Sequence, residues 1–141
     1  MNQRQRAALA DRYQTDGMAG SSPQKLLLAV FDRLHRDLDT AVAAITTNRI
    51  EAAHRSLVNA QELVYELRLA LDPEVWPGAT ELQAIYDYVL SLLIEANLNK
   101  STDDIERCIA IIVPLEQSWV EAHDMLQQEG EAIAVANGVS E

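Results

Sequence analysis

The sequence predicts an all-α fold: an antiparallel up-down four-helix bundle with a short extra N-terminal helix. Three observations predict it. Apolar residues recur at i, i+3, i+4 and i+7 spacing through four long stretches. Val, Ile and Thr nowhere alternate with polar residues over the length of a strand. The 5 glycines and 4 prolines gather mostly at the boundaries of the periodic stretches.

The elements follow in order. A short, weakly apolar helix is expected from about residue 4 to Gln14, and Gly17, Gly20 and Ser21 loosen what comes after it. Ser22-Pro23 then starts the first long helix, a side-chain N-cap followed by proline at the first helical position. Leu27, Val30, Phe31, Leu34, Leu38, Ala41, Val42 and Ile45 line one of its faces up to about Thr46.

Asn48 with Glu51 has capping-box spacing and is expected to open the second helix. Its inner face is Ala53, Leu57, Ala60, Val64, Leu67 and Leu71, with Leu63 beside it. Asp72-Pro73 ends it, because a residue before proline is pushed out of the α region. Thr80 with Gln83 is a further capping box for the third helix, and Ser101 with Asp104 a weaker one for the fourth.

The fourth helix carries Ile105, Cys108, Ile109, Ile112, Leu115, Trp119, Ala122 and Leu126 on one face. Pro114 lies inside it, removes one backbone hydrogen bond and predicts a kink near Ala110. After Gly130 no capping or periodic signal remains. Residues 1–21 therefore read as an N-terminal segment, 22–129 as the bundle and 130–141 as a flexible tail. Short loops between long helices make antiparallel neighbours, hence the up-down arrangement.

The third helix, LQAIYDYVLSLLIEAN from Leu82 to Asn97, is the least ordinary. Leu82, Ile85, Tyr86, Val89, Leu93 and Ala96 make a core stripe, while Tyr88, Leu92 and Ile94 fall largely outside it. A helix apolar on more than one side is buried on more than one side or docks a partner. Val58, Tyr65 and Leu69 on the second helix, and Ile111, Val113 and Val120 on the fourth, form similar surpluses. The residues alone leave core packing and partner contact both open for Tyr65, Tyr88 and Leu92. Asn97 reads as a helix C-cap, since asparagine accepts the left-handed conformation.

Composition narrows the function. Twenty-two Asp and Glu outweigh 11 Lys and Arg, giving a net charge of −11 and a surface that repels phosphate backbones and anionic headgroups. Neither nucleic-acid binding nor membrane insertion is expected, and no stretch approaches the roughly 18 apolar residues of a membrane span. A single cysteine excludes an intrachain disulfide and suits a reducing, cytoplasmic setting.

Catalytic and metal chemistry find no foothold. Glu51-Ala-Ala-His54 has the Glu-x-x-His spacing of di-iron bundles, but Glu121-Ala-His123 is mis-spaced as its counterpart. Glu51 and His54 then read as solvated, and no metal or other cofactor is expected. His35 between Arg33 and Arg36 resembles a phosphotransfer histidine only as far as any surface histidine does. Cys108 on an apolar face behaves as a small hydrophobe. The chain is not expected to be an enzyme.

Several local patterns together resemble the flagellar secretion chaperone family, the FliS-type flagellin-specific export chaperones. Tyr13-Gln14 followed by Ser22-Pro23-x-x-Leu26-x-Leu28 is similar to the family's opening, though Phe31-Asp32-Arg33 replaces its aromatic-Asp-Gly. Ala60-Gln61, Glu66-Leu67 and Leu71-Asp72 are similar to its second helix. Tyr86-Asp87-Tyr88 and Glu95-Ala96-Asn97 resemble its third helix, while Ile105-Glu106 and Trp119 fit the fourth.

The resemblance runs collinearly over about residues 13–122. It implies binding of flagellin's disordered C-terminal segment, which prevents premature polymerisation and keeps the subunit competent for type III export. It leaves room for other flagellar export or regulatory partners. Tyr13, Tyr65, Leu69, Tyr88 and Leu92 are the expected partner-binding residues, with Tyr13 a removable plug over the groove. Without the resemblance, the same residues describe an adaptor or regulator that binds a folded protein.

Overall fold

The structure, a computed structural model, describes residues 23–75 and 77–136. Among them lie four helices: α1 (Pro23–Thr46), α2 (Ile50–Leu69), α3 (Ala79–Asn99) and α4 (Thr102–Ala136). The expected helix at residues 4–14 and the Ser22 cap fall outside the described residues, but α1 does begin at Pro23. Each helix packs against two others: α1 on α2, α2 on α3, α3 on α4, and α4 back on α1. His54 near the start of α2 meets Asn97 near the end of α3, and Arg68 near the end of α2 meets Asp87. Those two helices are therefore antiparallel, and Cys108 against Val89 with Trp119 against Tyr86 shows the same of α3 and α4. The all-α bundle predicted from periodicity is the observed architecture.

The core is a column of aliphatic side chains with two aromatic rings, Phe31 and Tyr86. Phe31, Leu34 and Leu38 of α1, Leu57 and Leu63 of α2, Leu93 of α3, and Ile105 and Ile112 of α4 are fully buried. Burying a side chain of this size contributes about 1.5–3 kcal/mol. Small residues let the axes approach: Ala41, Ala53, Ala60 and Ala96 are also fully buried. Leu27, Val42 and Ile45, expected on the inner face of α1, pack against the rim of this core and are only half-buried.

The helix ends depart from expectation in an instructive way. Asn48 does not cap α2; it takes a left-handed φ of 60°. Its amide bonds the Ile45 carbonyl while the Arg49 amide bonds Ala44 at 2.7 Å. This is the Schellman closure of α1, with asparagine in the position usually given to glycine. The helix that follows starts from Arg49 with no side-chain cap. Likewise α3 starts from Gly78 rather than from Thr80, again without a side-chain cap. The side-chain cap that forms is at the weaker-looking site, where Ser101 Oγ accepts the Asp104 amide at 3.2 Å, while the Ser101 amide bonds the Ala96 carbonyl rather than Asp104.

Asn97 is not the C-cap of α3. Lys100 is, with a φ of 50° and its amide bonded to Ala96. The Lys100 ammonium reaches back to the Asn97 carbonyl and, at 2.8 Å, to its side-chain oxygen, placing a cation on the negative end of the helix. At the other terminus, residues 130–136 continue α4 rather than leaving it as a tail. Gly130 meets nothing within 4 Å, and five alanines or β-branched residues follow it before the helix ends, with alanine the best helix former. Helix α4 also runs unbroken through Pro114.

Candidate partner-binding surface

Exposed large apolar side chains are unevenly distributed among the described residues. Helix α1 has none, α2 has Ile50 and Tyr65, α3 has Ile85, Tyr88, Ile94 and Leu98, and α4 has Val120, Met125, Ile133 and Val135, all in its second half. The sequence stripe placed Ile85 inside and Leu92 outside; the structure exchanges them. Leu92 is 4% exposed and belongs to the core, whereas Ile85 is 38% exposed. Both sit on the α4 side of α3, so periodicity does not separate them. Leu92 joins the core cluster and Ile85 does not.

The remaining expected residues divide. Tyr13 lies outside the described residues. Tyr65 is 53% exposed and Tyr88 54%, and Leu69 is half-buried at the last turn of α2. Tyr65 and Leu69 stand one turn apart on one flank. At about 100° per residue, Tyr65 lies within roughly 20° of His54 and 60° of Arg68, the two α2 side chains bonded to α3. Tyr65 therefore faces the furrow between α2 and α3. Tyr88 is nine residues from Asn97, about 180° round the helix, which turns it away from α2 and toward the α3–α4 side. The two tyrosines thus flank α3 from opposite sides.

Between them runs the outer face of α3, where Ala84 and Ser91 are small and exposed while Ile94 (48%) and Leu98 (78%) stand out from the surface. Leu98 was missed from sequence. The available signal was its position one turn after Ile94. The apolar face carries one charged group on its α2 side. Arg68 grips Asp87 with two bonds, Nε to Oδ1 at 2.5 Å and Nη2 to Oδ2 at 3.3 Å. The hydrogen bond and the charge of Asp87, with Tyr65 adding to them, raise the guanidinium further above its already high range.

The groups weighed for chemistry are otherwise engaged. His54 is exposed, as expected, and its Nδ1 also lies within 3.2 Å of the Asn97 amide group, joining α2 to α3. His35 Nε2 lies 3.0 Å from Glu116 Oε1, poorly aligned for a hydrogen bond but joining α1 to α4, with 23% of the side chain exposed. The Cys108 thiol points at the Val89 carbonyl, and burial, with the nearby Asp104 charge, pushes its pKa up to about 12. A thiol held protonated is a poor nucleophile. Burial likewise raises the pKa of Tyr86, whose hydroxyl accepts the Trp119 indole N–H. No described helix is long and apolar enough to cross a membrane.

The family model for the flagellar protein FliS matches residues 5–126. The chain belongs to the FliS family. It is also 24% identical over 110 residues to the flagellar secretion chaperone FliS of Bacillus subtilis (strain 168), a match covering 78% of this chain and 82% of the relative. FliS proteins are flagellar export chaperones and not enzymes, consistent with histidines and a thiol that are occupied by structural contacts.

Proposed function

We propose that this chain acts in the cytoplasm and binds the disordered C-terminal segment of flagellin on the outer face of α3 and its two flanks. In this reading it prevents premature polymerisation and keeps the subunit competent for export. The observation that carries it is the row of Ile85, Tyr88, Ile94 and Leu98 left exposed along α3, a helix that at the same time contributes to the packed core. An amphipathic segment that folds as it binds needs such an extended apolar surface. The tyrosines suit it because a ring buries area while its hydroxyl stays hydrated. Small residues along the crest, Ala84 and Ser91, let a bound backbone pass close to α3.

The test is to mix the full chain with a synthetic peptide of the flagellin C-terminus. A gain in helical circular dichroism, a complex on gel filtration and a negative heat-capacity change on binding support the reading. Tyr88→Asp is expected to weaken binding about tenfold, near 1.4 kcal/mol, and to leave thermal stability nearly unchanged. A peptide that stays unstructured and elutes alone sinks it, and points instead to an adaptor for a folded partner.

A further inference from the structure

The furrow between α2 and α3 is closed at both ends by side-chain cross-links. At one end His54 meets Asn97, and at the other Arg68 grips Asp87. The stretch between them spans 14 residues of α2 and 10 of α3, about 21 and 15 Å at 1.5 Å per residue. Val58, Gln61 and Tyr65 line one wall, Leu90 and Ile94 the other. None of these five is fully buried, and none carries a charge.

The core sets how closely the two axes approach, through Ala53, Ala60 and Ala96. It does not set the outer rim, where the wall residues are exposed or half-buried. The geometry of that rim depends on the cross-links. Of the two, the Arg68–Asp87 bridge is the stiffer, because a two-point guanidinium–carboxylate contact fixes orientation as well as distance. Its side chains are 33% and 52% exposed, so it adds little to the stability of the fold itself.

We propose that Arg68 and Asp87 are a positioning pair for partner binding, holding the α2 and α3 walls at the spacing that admits one short amphipathic segment between Tyr65 and Ile94. The inference rests on the proposed flagellin-binding reading. The pair acts through the walls rather than by touching the partner, so either orientation of the bridge serves.

The experiment measures the affinity of the full chain for the flagellin C-terminal peptide by calorimetry, alongside thermal midpoints. Arg68→Met and Asp87→Ala are each expected to weaken binding about tenfold, with midpoints within about 3 °C of the parent, as for an exposed pair. The reversed pair, Arg68→Asp with Asp87→Arg, is expected to return affinity to within about threefold, as coupled neighbours do in a double-mutant cycle. Parent-like binding by both single variants overturns the proposal. So does a weakened reversed pair, which means that one side chain touches the partner directly. So do midpoints that fall in step with affinity, which mean a plain structural role. Loss on Tyr88→Asp with silent Arg68 and Asp87 variants removes the positioning pair alone. A parent chain that does not bind the peptide removes both readings together.

Discussion

Helices α1 and α3 are close in length, at 24 and 21 residues, and each sits between two neighbours, yet they meet solvent differently. The outer side of α1 carries Gln24, Lys25, Asp32, Arg36, Asp39 and Thr40, with no large apolar residue exposed. The outer side of α3 mixes Asp87 and Glu95 with Ile85, Tyr88, Ile94 and Leu98. Both helices contribute to one core, so the difference is not about folding. A helix that only needs to fold spends its outer face on charge. One that keeps apolar groups in water without burying them holds a surface in reserve for a partner.

That contrast breaks or sharpens at specific residues. The largest effect is expected inside α3 itself. Leu92→Ala removes a core side chain and is expected to lower stability by about 2–5 kcal/mol. Leu98→Ala, six residues on and in solvent, is expected to change it by less than about 0.5 kcal/mol. Urea unfolding of the two variants compares them directly, and equal losses would mean that α3 is buried on all sides and has no reserve surface.

A middle-sized effect is expected at high pH, and it belongs to the core rather than to either outer face. The folded state holds the Cys108 thiol protonated up to a pKa of about 12, whereas an unfolded thiol ionises near 8.5. The unfolded state therefore binds fewer protons through this window, and stability falls as pH rises above about 8.5. The loss grows by up to about 1.4 kcal/mol per pH unit, and Tyr86 adds to it at higher pH because its pKa is raised too. Cys108→Ala is expected to lower stability at neutral pH but to flatten the slope between pH 9 and 10, read from unfolding midpoints at each pH. A slope unaltered by the substitution contradicts the buried thiol.

The smallest effect is expected on α1. Arg36 pairs with Asp32 one turn away at 3.1 Å, both well exposed. Arg36→Ala is expected to change stability by at most about 0.5 kcal/mol and to leave flagellin-peptide affinity alone. A clear loss of affinity would place part of the binding surface on α1 and erase the contrast drawn above.

Much of this was legible beforehand. Four helices, their order and most core positions follow from spacing alone, because a 3.6-residue period marks one face whatever the neighbours do. Membership in the FliS family was legible too, from motifs such as Tyr86-Asp87-Tyr88 and Ser22-Pro23 in collinear order. What spacing does not resolve is the edge of a stripe. Ile85 and Leu92 stand on the same flank of α3, yet only Leu92 is buried, a difference that spacing alone does not carry. Capping was similarly ambiguous. Asn48 suits the end of one helix as well as the start of the next, and the three-residue connection lets the Schellman closure win.

The sequence by itself determined the helices, their amphipathic faces and the unusual apolar load of the third, because these are properties of local periodicity. Only the tertiary structure decided which part of that load faces water. It placed Tyr65 and Tyr88 on opposite flanks of α3 and joined Arg68 to Asp87 across 19 residues of chain. The physical reason is that burial depends on what packs alongside, and a helix does not encode its neighbours' distance in its own spacing.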